Sequence, residues 1–368
     1  MPSATATTMT IELPVSGCEP PPVPAAAMRT RRRHRPASLA PGMRIGAWRV
    51  ERELGRGGMA TVYAVVHARF GKRAALKLAH RAVLSPQFTS ETFLREARVA
   101  NLINHPGVAE VFATGTYDGR PYLAMERLTG RSLGARLEEG PLPREEALEI
   151  LGELCCVLEA AHAAGVTHRD LKLDNVFLVD EPGAGGRRTK LLDWGMARVA
   201  GEDDPLRGMI AGTLTYVAPE QFRSEDITPA ADIYSLAVLA YLLLLGQAPF
   251  TAATDIDLIH RHLRDAPPSP RKLWAAIPAE LEATLVAMLA KQPEERPALP
   301  DIARVLRDAR TRLRPRTLRW RTPPMVTLPH DVLGRPAVPV LVTKPTRIAS
   351  AALGIALTVM SLLQLLSA

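Results

Sequence analysis

Eight consecutive residues constrain this chain more than any other stretch. His168-Arg169-Asp170-Leu171-Lys172-Leu173-Asp174-Asn175 sets six polar side chains between an expected helix and the apolar run Val176-Phe177-Leu178. That is poor material for a plain turn. Asp170 can orient and deprotonate a hydroxyl. Lys172 can neutralise a migrating phosphoryl group, and Asn175 offers an oxygen to Mg²⁺. A second metal carboxylate, Asp193, follows in Asp193-Trp194-Gly195.

Upstream, Gly55-Arg56-Gly57-Gly58-Met59-Ala60-Thr61-Val62 lies between two expected strands. Glycines there let backbone N–H groups approach phosphate oxygens closely. Taken alone, such a turn is more often a simple hairpin. The next strand ends in Ala74-Ala75-Leu76-Lys77, and Glu96 follows 19 residues later. A lone strand lysine usually faces solvent at an edge. An ion pair with Glu96 would instead fix a rigid ammonium where a polyphosphate needs counter-charge.

The surrounding pattern is strand-rich, then helical. Arg44–Leu54, Thr61–Ala68, Arg73–Ala79, Val108–Tyr117 and Pro121–Met125 read as strands, the last two joined at Asp118-Gly119. Phe88–Leu102 reads as a helix, with Phe93, Ala97 and Ala100 at spacings of four and three. From residue 130 helices dominate. Arg144–Ala164 carries Glu145 and Glu146 in its first turn, with Gly165 past its end. Pro229–Leu245 is apolar after Asp232 and stops at Gly246; its apolar run is too short to cross a bilayer. No internal repeat is present.

In ordered series these motifs resemble the eukaryotic-type (Hanks-type) serine/threonine protein kinases, over about residues 46–308. The series is the glycine-rich loop, Lys77, Glu96, His168-Arg169-Asp170 through Asn175, Asp193-Trp194-Gly195, Ala218-Pro219-Glu220, Asp232 and Arg296. The resemblance implies an α+β fold of two lobes, a small β-rich N-lobe and a larger helical C-lobe. It implies ATP and Mg²⁺ as cofactors and Ser/Thr hydroxyls of proteins as acceptors. Asp170 would be the catalytic base, assisted by Lys172. Lys77 would pair the α/β-phosphates and Glu96, and Asn175 and Asp193 would hold the metal. Leu54, Gly55, Gly57 and Gly58 would cover the nucleotide. Val62, Ala75 and Phe177 would sandwich adenine, with Met125 at the rear and Glu126 to Leu128 as the hinge. Glu220 with Arg296, and Asp232, would be scaffold. Lys172 and Thr213 resemble the Ser/Thr branch, and Gly57-Gly58-Met59 resembles its bacterial members.

Three departures matter. Ala60 replaces the third loop glycine, at the expense of one methyl. Trp194 replaces the usual Phe after the metal aspartate, and its N–H needs a partner if buried. Between Trp194 and Gly212 there is no Ser, Thr or Tyr. The family's arginine before the catalytic aspartate, here Arg169, usually meets a phosphorylated residue in that segment. Here the segment offers Glu202-Asp203-Asp204, read either as a stand-in for the phosphate or as a solvated acidic turn. Thr213 and Thr215 remain as phosphorylatable positions, Thr213 more naturally shaping the substrate site.

The flanks account for the net charge of +8. Residues 1–41 hold 5 Lys/Arg against 2 Asp/Glu, and 304–347 hold 11 against 2, which leaves the middle near −4. That middle is no nucleic-acid footprint. Three cysteines, two of them adjacent, exclude a disulfide framework. Residues 1–41, with eight prolines and no apolar run, read as a solvated arm, and 309–347 as a basic, proline-rich linker. Residues 348–368 carry no charge. As a helix they reach ~31 Å, near the ~30 Å hydrocarbon thickness. The expectation is a single C-terminal transmembrane helix. Arg335, Lys344 and Arg347 before it place the kinase domain in the cytoplasm at the inner or plasma membrane. The linker is expected to touch anionic lipid, and regulatory input to come from cytoplasmic or intramembrane partners or a homodimer. A pseudokinase scaffold and a small-molecule phosphotransferase are the competing readings.

Overall fold

Alternation along the first strands decides how the sheet is covered. The computed structural model describes residues 38–81, 90–180, 189–204, 213–223 and 227–313. Its N-terminal part is a six-stranded antiparallel sheet in the order β1-β2-β3-β4-β6-β5. The strands are β1 (Arg44–Ile45), β2 (Trp48–Arg56), β3 (Ala60–His67), β4 (Arg73–Ala79), β5 (Val111–Tyr117) and β6 (Arg120–Met125). Tyr63, Val65, Leu76, Leu78, Tyr122 and Ala124 share one face and pack as a core of their own. On the opposite face Ala60, Ala79 and Leu123 pack against Phe93 and Ala97 of α1 (Ser90–Ile103). A period of two on the strands thus meets a period of 3.6 on the helix.

The expected strand Arg44–Leu54 is broken. Gly46, at φ +55°, makes a tight turn in which a Cβ would lie 2.7 Å from the Tyr122 hydroxyl oxygen. β2 then runs on through Arg56, so Gly55 is itself paired, opposite Val62. The strand expected from Val108 begins only at Val111, because Val108 forms a parallel bridge with Leu191 instead. Asp118 and Gly119, both at positive φ, close the β5–β6 hairpin.

The helical body holds α2 (Leu133–Glu138), α3 (Arg144–Ala163), α4 (Pro219–Phe222), α5 (Ala230–Leu245), α6 (Asp255–Arg264), α7 (Ala279–Met288) and α8 (Leu299–Leu313). Small sheets join β7 (Gly130–Ser132), β9 (Val176–Val179) and β10 (Thr189–Leu191), and β8 (Val166–Thr167) with β11 (Arg198–Val199). α5 is buried almost all round, which explains its strongly apolar sequence after Asp232. Gly246 ends it in the left-handed conformation at φ 78°.

α8 continues to Leu313, past the expected boundary at 308. Ile302, Val305, Leu306 and Ala309 form one buried stripe, and Arg310 pairs Glu149 of α3 at 2.7 Å. The arginine-rich composition concealed that stripe. Similarly, Ser38 is bound rather than part of a free arm: its hydroxyl donates to Glu53 at 2.5 Å. Residues 1–37 of the expected arm, residues 314–347 of the linker and segment 348–368 lie outside the described residues. Among the described residues no helix is long and apolar enough to cross a membrane.

Candidate active site

β4 delivers the central cation. Register pairs Lys77 with Val62 on one side and Leu123 on the other, so its side chain shares the face turned toward α1. Its Nζ donates to Glu96 Oε2 at 2.7 Å and to Asp193 Oδ1 at 2.9 Å. Burial pulls the ammonium's pKa down, but Glu96 and Asp193 overrule it and the net shift is upward. Burial raises Glu96, with Lys77 opposing. Burial also pushes Asp193 up, yet Lys77 outweighs it and holds that carboxyl below its ordinary value. Lys77 is therefore a fixed cation at neutral pH.

Asp193 sits at φ 62°, ψ 70°, a left-handed conformation that costs a non-glycine residue about 1–3 kcal/mol. Trp194 supplies the anchor that tolerates it. The indole is buried against the His168 ring, centroids 4.5 Å apart, and its N–H donates to Leu191 O at 3.3 Å. The larger residue is thus accommodated with its polar atom satisfied.

The catalytic-loop residues are held from beneath. Asp232, fully buried at the start of α5, accepts from His168 N at 2.8 Å and Arg169 N at 2.9 Å. Its other neighbour is His162 Nε2, at 2.8 Å. Burial raises the Asp232 carboxyl, but the His162 contact and the other donors bring it below its usual value. Arg169 is thereby kept at φ 65°. His168 Nδ1 accepts from Asp170 N at 3.2 Å, which leaves Nε2 as the donor to Leu192 O at 3.2 Å. Lys172 Nζ meets Asp170 Oδ2 at 2.6 Å. The Asn175 amide nitrogen donates to Asp170 O at 2.8 Å and Oδ2 at 3.1 Å. With its nitrogen so committed, Asn175 presents its oxygen as the remaining group. Leu192 N donates to Asn175 O at 2.8 Å, which brings the Asp193 segment alongside.

These groups border a cavity of about 210 Å³ between sheet and helices. Of the expected site residues, Val62, Lys77, Glu96, Met125, Asn175 and Asp193 line it. Asp170 and Lys172 join through Asn175. Gly55, Gly57 and Gly58 are exposed at the β2–β3 end. A Cβ at 55 or 58 would meet nothing within 4 Å, and at 57 only Ala60 O at 3.8 Å. Leu54 is exposed on β2, Ala75 is buried opposite Met125, and Phe177 is half-buried on β9. Glu126 and Leu128 lie half-buried in the connection after β6. Those five stand outside the cavity lining. Ala109, Val111, Leu191 and Leu192 add to its apolar wall and carried no motif of their own. Glu126 is also tied to Lys190 Nζ, at 2.5 Å, across a separation of 64 residues.

An antiparallel sheet over a helical body, with a lysine, two acids and an amide converging between them, defines the two-lobed kinase architecture. The chain belongs to the protein kinase domain family, whose model matches residues 48–306. It is similar to serine/threonine-protein kinase Pkn1 of Myxococcus xanthus, 39% identical over 257 residues covering 69% of this chain and 37% of that protein. It is 34% identical over 279 residues to serine/threonine-protein kinase PknD of Mycobacterium tuberculosis, covering 73% of this chain and 40% of that protein. The chain thus spans well under half the length of these curated relatives. The crystal structure of the Mycobacterium tuberculosis PknI kinase domain, in a double-mutant form, matches with a TM-score of 0.58 at 28% identity. That match covers 74% of this chain and all of the PknI domain.

Proposed function

We propose that the chain is a bacterial serine/threonine protein kinase that transfers the γ-phosphoryl group of ATP to protein hydroxyls. One observation carries this reading: Lys77 joins Glu96 and Asp193 in the lining of a cavity that Asn175, bonded to Asp170 beside Lys172, also lines.

The residues fit the cofactors the family implies. Mg²⁺ takes a few carboxylate or amide oxygens and completes its sphere with phosphate and water. Asp193, whose side chain is 49% exposed, and the Asn175 oxygen are such a set. When bound, the ion would neutralise phosphate charge. Lys77 would neutralise the α/β-phosphates, and Glu96 keeps its ammonium in place. The open space over Gly55, Gly57 and Gly58 admits phosphate oxygens close to the backbone. Val62 and Met125 offer apolar surface to adenine, while Leu54, Ala75, Phe177 and the Glu126–Leu128 hinge frame it further out. Asp170 orients the acceptor hydroxyl and takes its proton. Lys172, 2.6 Å from that carboxylate, is placed to meet charge developing on the transferred group. The intact Lys77–Glu96–Asp193 contacts speak against a nucleotide-binding scaffold without transfer.

On sequence alone, we also propose that residues 348–368 anchor the protein in the cell membrane with the kinase domain cytoplasmic, and that the basic linker lies on anionic lipid. Proteins are the proposed substrates, nucleic acid is not a proposed ligand, and homodimerisation is one proposed input. Deleting 348–368 and fractionating cells tests the anchor; a protein already soluble before the deletion refutes it.

The activity is tested with the full chain, γ-labelled ATP, Mg²⁺ and a generic protein acceptor, beside Asp170→Asn. Label on Ser or Thr, lost in the variant, is expected. Label that survives in Asp170→Asn removes the base assignment. None with the wild type favours the scaffold reading.

A further inference from the structure

The acidic run after β11 makes contacts that neither of its sequence readings specified. Both Nη atoms of Arg169 meet Asp204, at 2.7 Å to Oδ2 and 3.1 Å to Oδ1, while Nε donates to Met196 O at 2.8 Å. The Arg169 side chain is nearly buried, and a buried guanidinium requires such a partner. Two residues earlier, Glu202 Oε2 accepts from Arg95 at 3.2 Å and Arg98 at 2.7 Å. Both arginines belong to α1, and Arg95 directly precedes Glu96. A continuous path of charge therefore runs from the catalytic loop through the segment to the helix whose glutamate holds Lys77. The pairing of β11 with β8 and a turn at Gly201, φ 78°, fix where the acids fall. No residue from 195 to 211 is Ser, Thr or Tyr.

We propose that Glu202 and Asp204 are positioning residues that hold α1 and Arg169 in the catalytic arrangement without phosphorylation of the segment. This rests on the kinase reading above. Asp204 neutralises Arg169, the role a phosphorylated side chain fills elsewhere. Glu202 ties the segment to α1, so Glu96 stays against Lys77. The two carboxylates divide the work between catalytic loop and helix, and Asp203, exposed between them, takes no part.

The test uses the full chain, phosphatase-treated, as wild type, Glu202→Gln, Asp204→Asn, Asp204→Glu and Asp203→Asn, with Asp170→Asn as the inactive control. Two quantities are read: kcat, and amide hydrogen exchange across 90–103. Treated wild type should remain active. Glu202→Gln and Asp204→Asn should each lower kcat about tenfold, within the roughly 5- to 150-fold range of coupled sites. Glu202→Gln should also speed exchange in α1 at unchanged Tm. Asp204→Glu should recover most of the loss, and Asp203→Asn should match wild type. Unchanged kcat in both neutralised variants overturns the proposal while leaving the kinase reading intact. So does a loss that Asp204→Glu fails to restore. An inactive wild type fails the kinase reading instead, and α1 exchange then decides the positioning role of Glu202: faster exchange in Glu202→Gln supports it, and unchanged exchange overturns it.

Discussion

Lys77 Nζ stands 2.9 Å from Asp193 Oδ1 although 116 residues separate them. The contact joins sheet to helical body across the cavity. It lets one ammonium serve both the α1 glutamate and the carboxylate assigned to the metal. Replacing Lys77 by Met leaves Glu96 buried beside a methyl group. Transfer should fall roughly 10²–10³-fold, the cost of removing one preorganised electrostatic donor. Steady-state kinetics on Lys77→Met checks this, and kcat/KM within threefold of wild type would remove Lys77 from the site.

Arg296 and Glu220 form a two-point pair, 2.6 Å and 2.8 Å, with side chains 0% and 1% exposed. Breaking such a pair strands a buried charge. Glu220→Gln should lose about 3–5 kcal/mol of stability in urea denaturation. A loss under about 1 kcal/mol would mean that water reaches the pair.

Trp194→Phe removes the indole donor to Leu191 O and leaves a buried carbonyl short of one hydrogen bond. The expected cost is about 1 kcal/mol, with activity retained. Trp194→Ala should cost about 3–5 kcal/mol and displace Asp193. Thermal denaturation and kinetics together check both; equal effects of the two variants would contradict the packing role.

His262 is fully buried among Phe222, Tyr234 and Phe250, with Tyr234 Oη 2.9 Å from its Nδ1 and Lys291 bonded to its carbonyl. Burial first, and Lys291 second, lower its pKa to about 4. The folded chain therefore binds fewer protons than the unfolded chain between about pH 4 and pH 6.5. Stability rises with pH across that window and is lost as pH falls through it, by about 3 kcal/mol. In urea denaturation the stability gap between wild type and His262→Gln should narrow by that amount from pH 7 to pH 4. A constant gap would contradict the burial argument.

Local signals made much of this legible. Arg73–Ala79 matches β4 residue for residue because it is a short apolar run, buried on both faces and too short for a helix, and Phe93, Ala97 and Ala100 mark the buried face of α1. The convergence of Lys77, Glu96, Asn175 and Asp193 on one cavity was readable because each lies in a recognisable local pattern. What escaped was non-local. Nothing near Lys190 reveals that it reaches Glu126, and nothing near Arg95 or Arg98 reveals Glu202, more than 100 residues away. Val108 and Ala109 fall within an expected strand, yet Val108 bridges Leu191 and Ala109 lines the cavity. In α8 the helical stripe was masked by arginines whose apolar stems cover the surface.

The most direct test is a crystal structure of the protein with Mg²⁺ and a nonhydrolysable ATP analogue. Lys77 should contact the α/β-phosphates while keeping Glu96, and Asp193 and Asn175 should both ligate the metal. A nucleotide bound elsewhere, or one from which Lys77 and Asp193 turn away, would contradict the account.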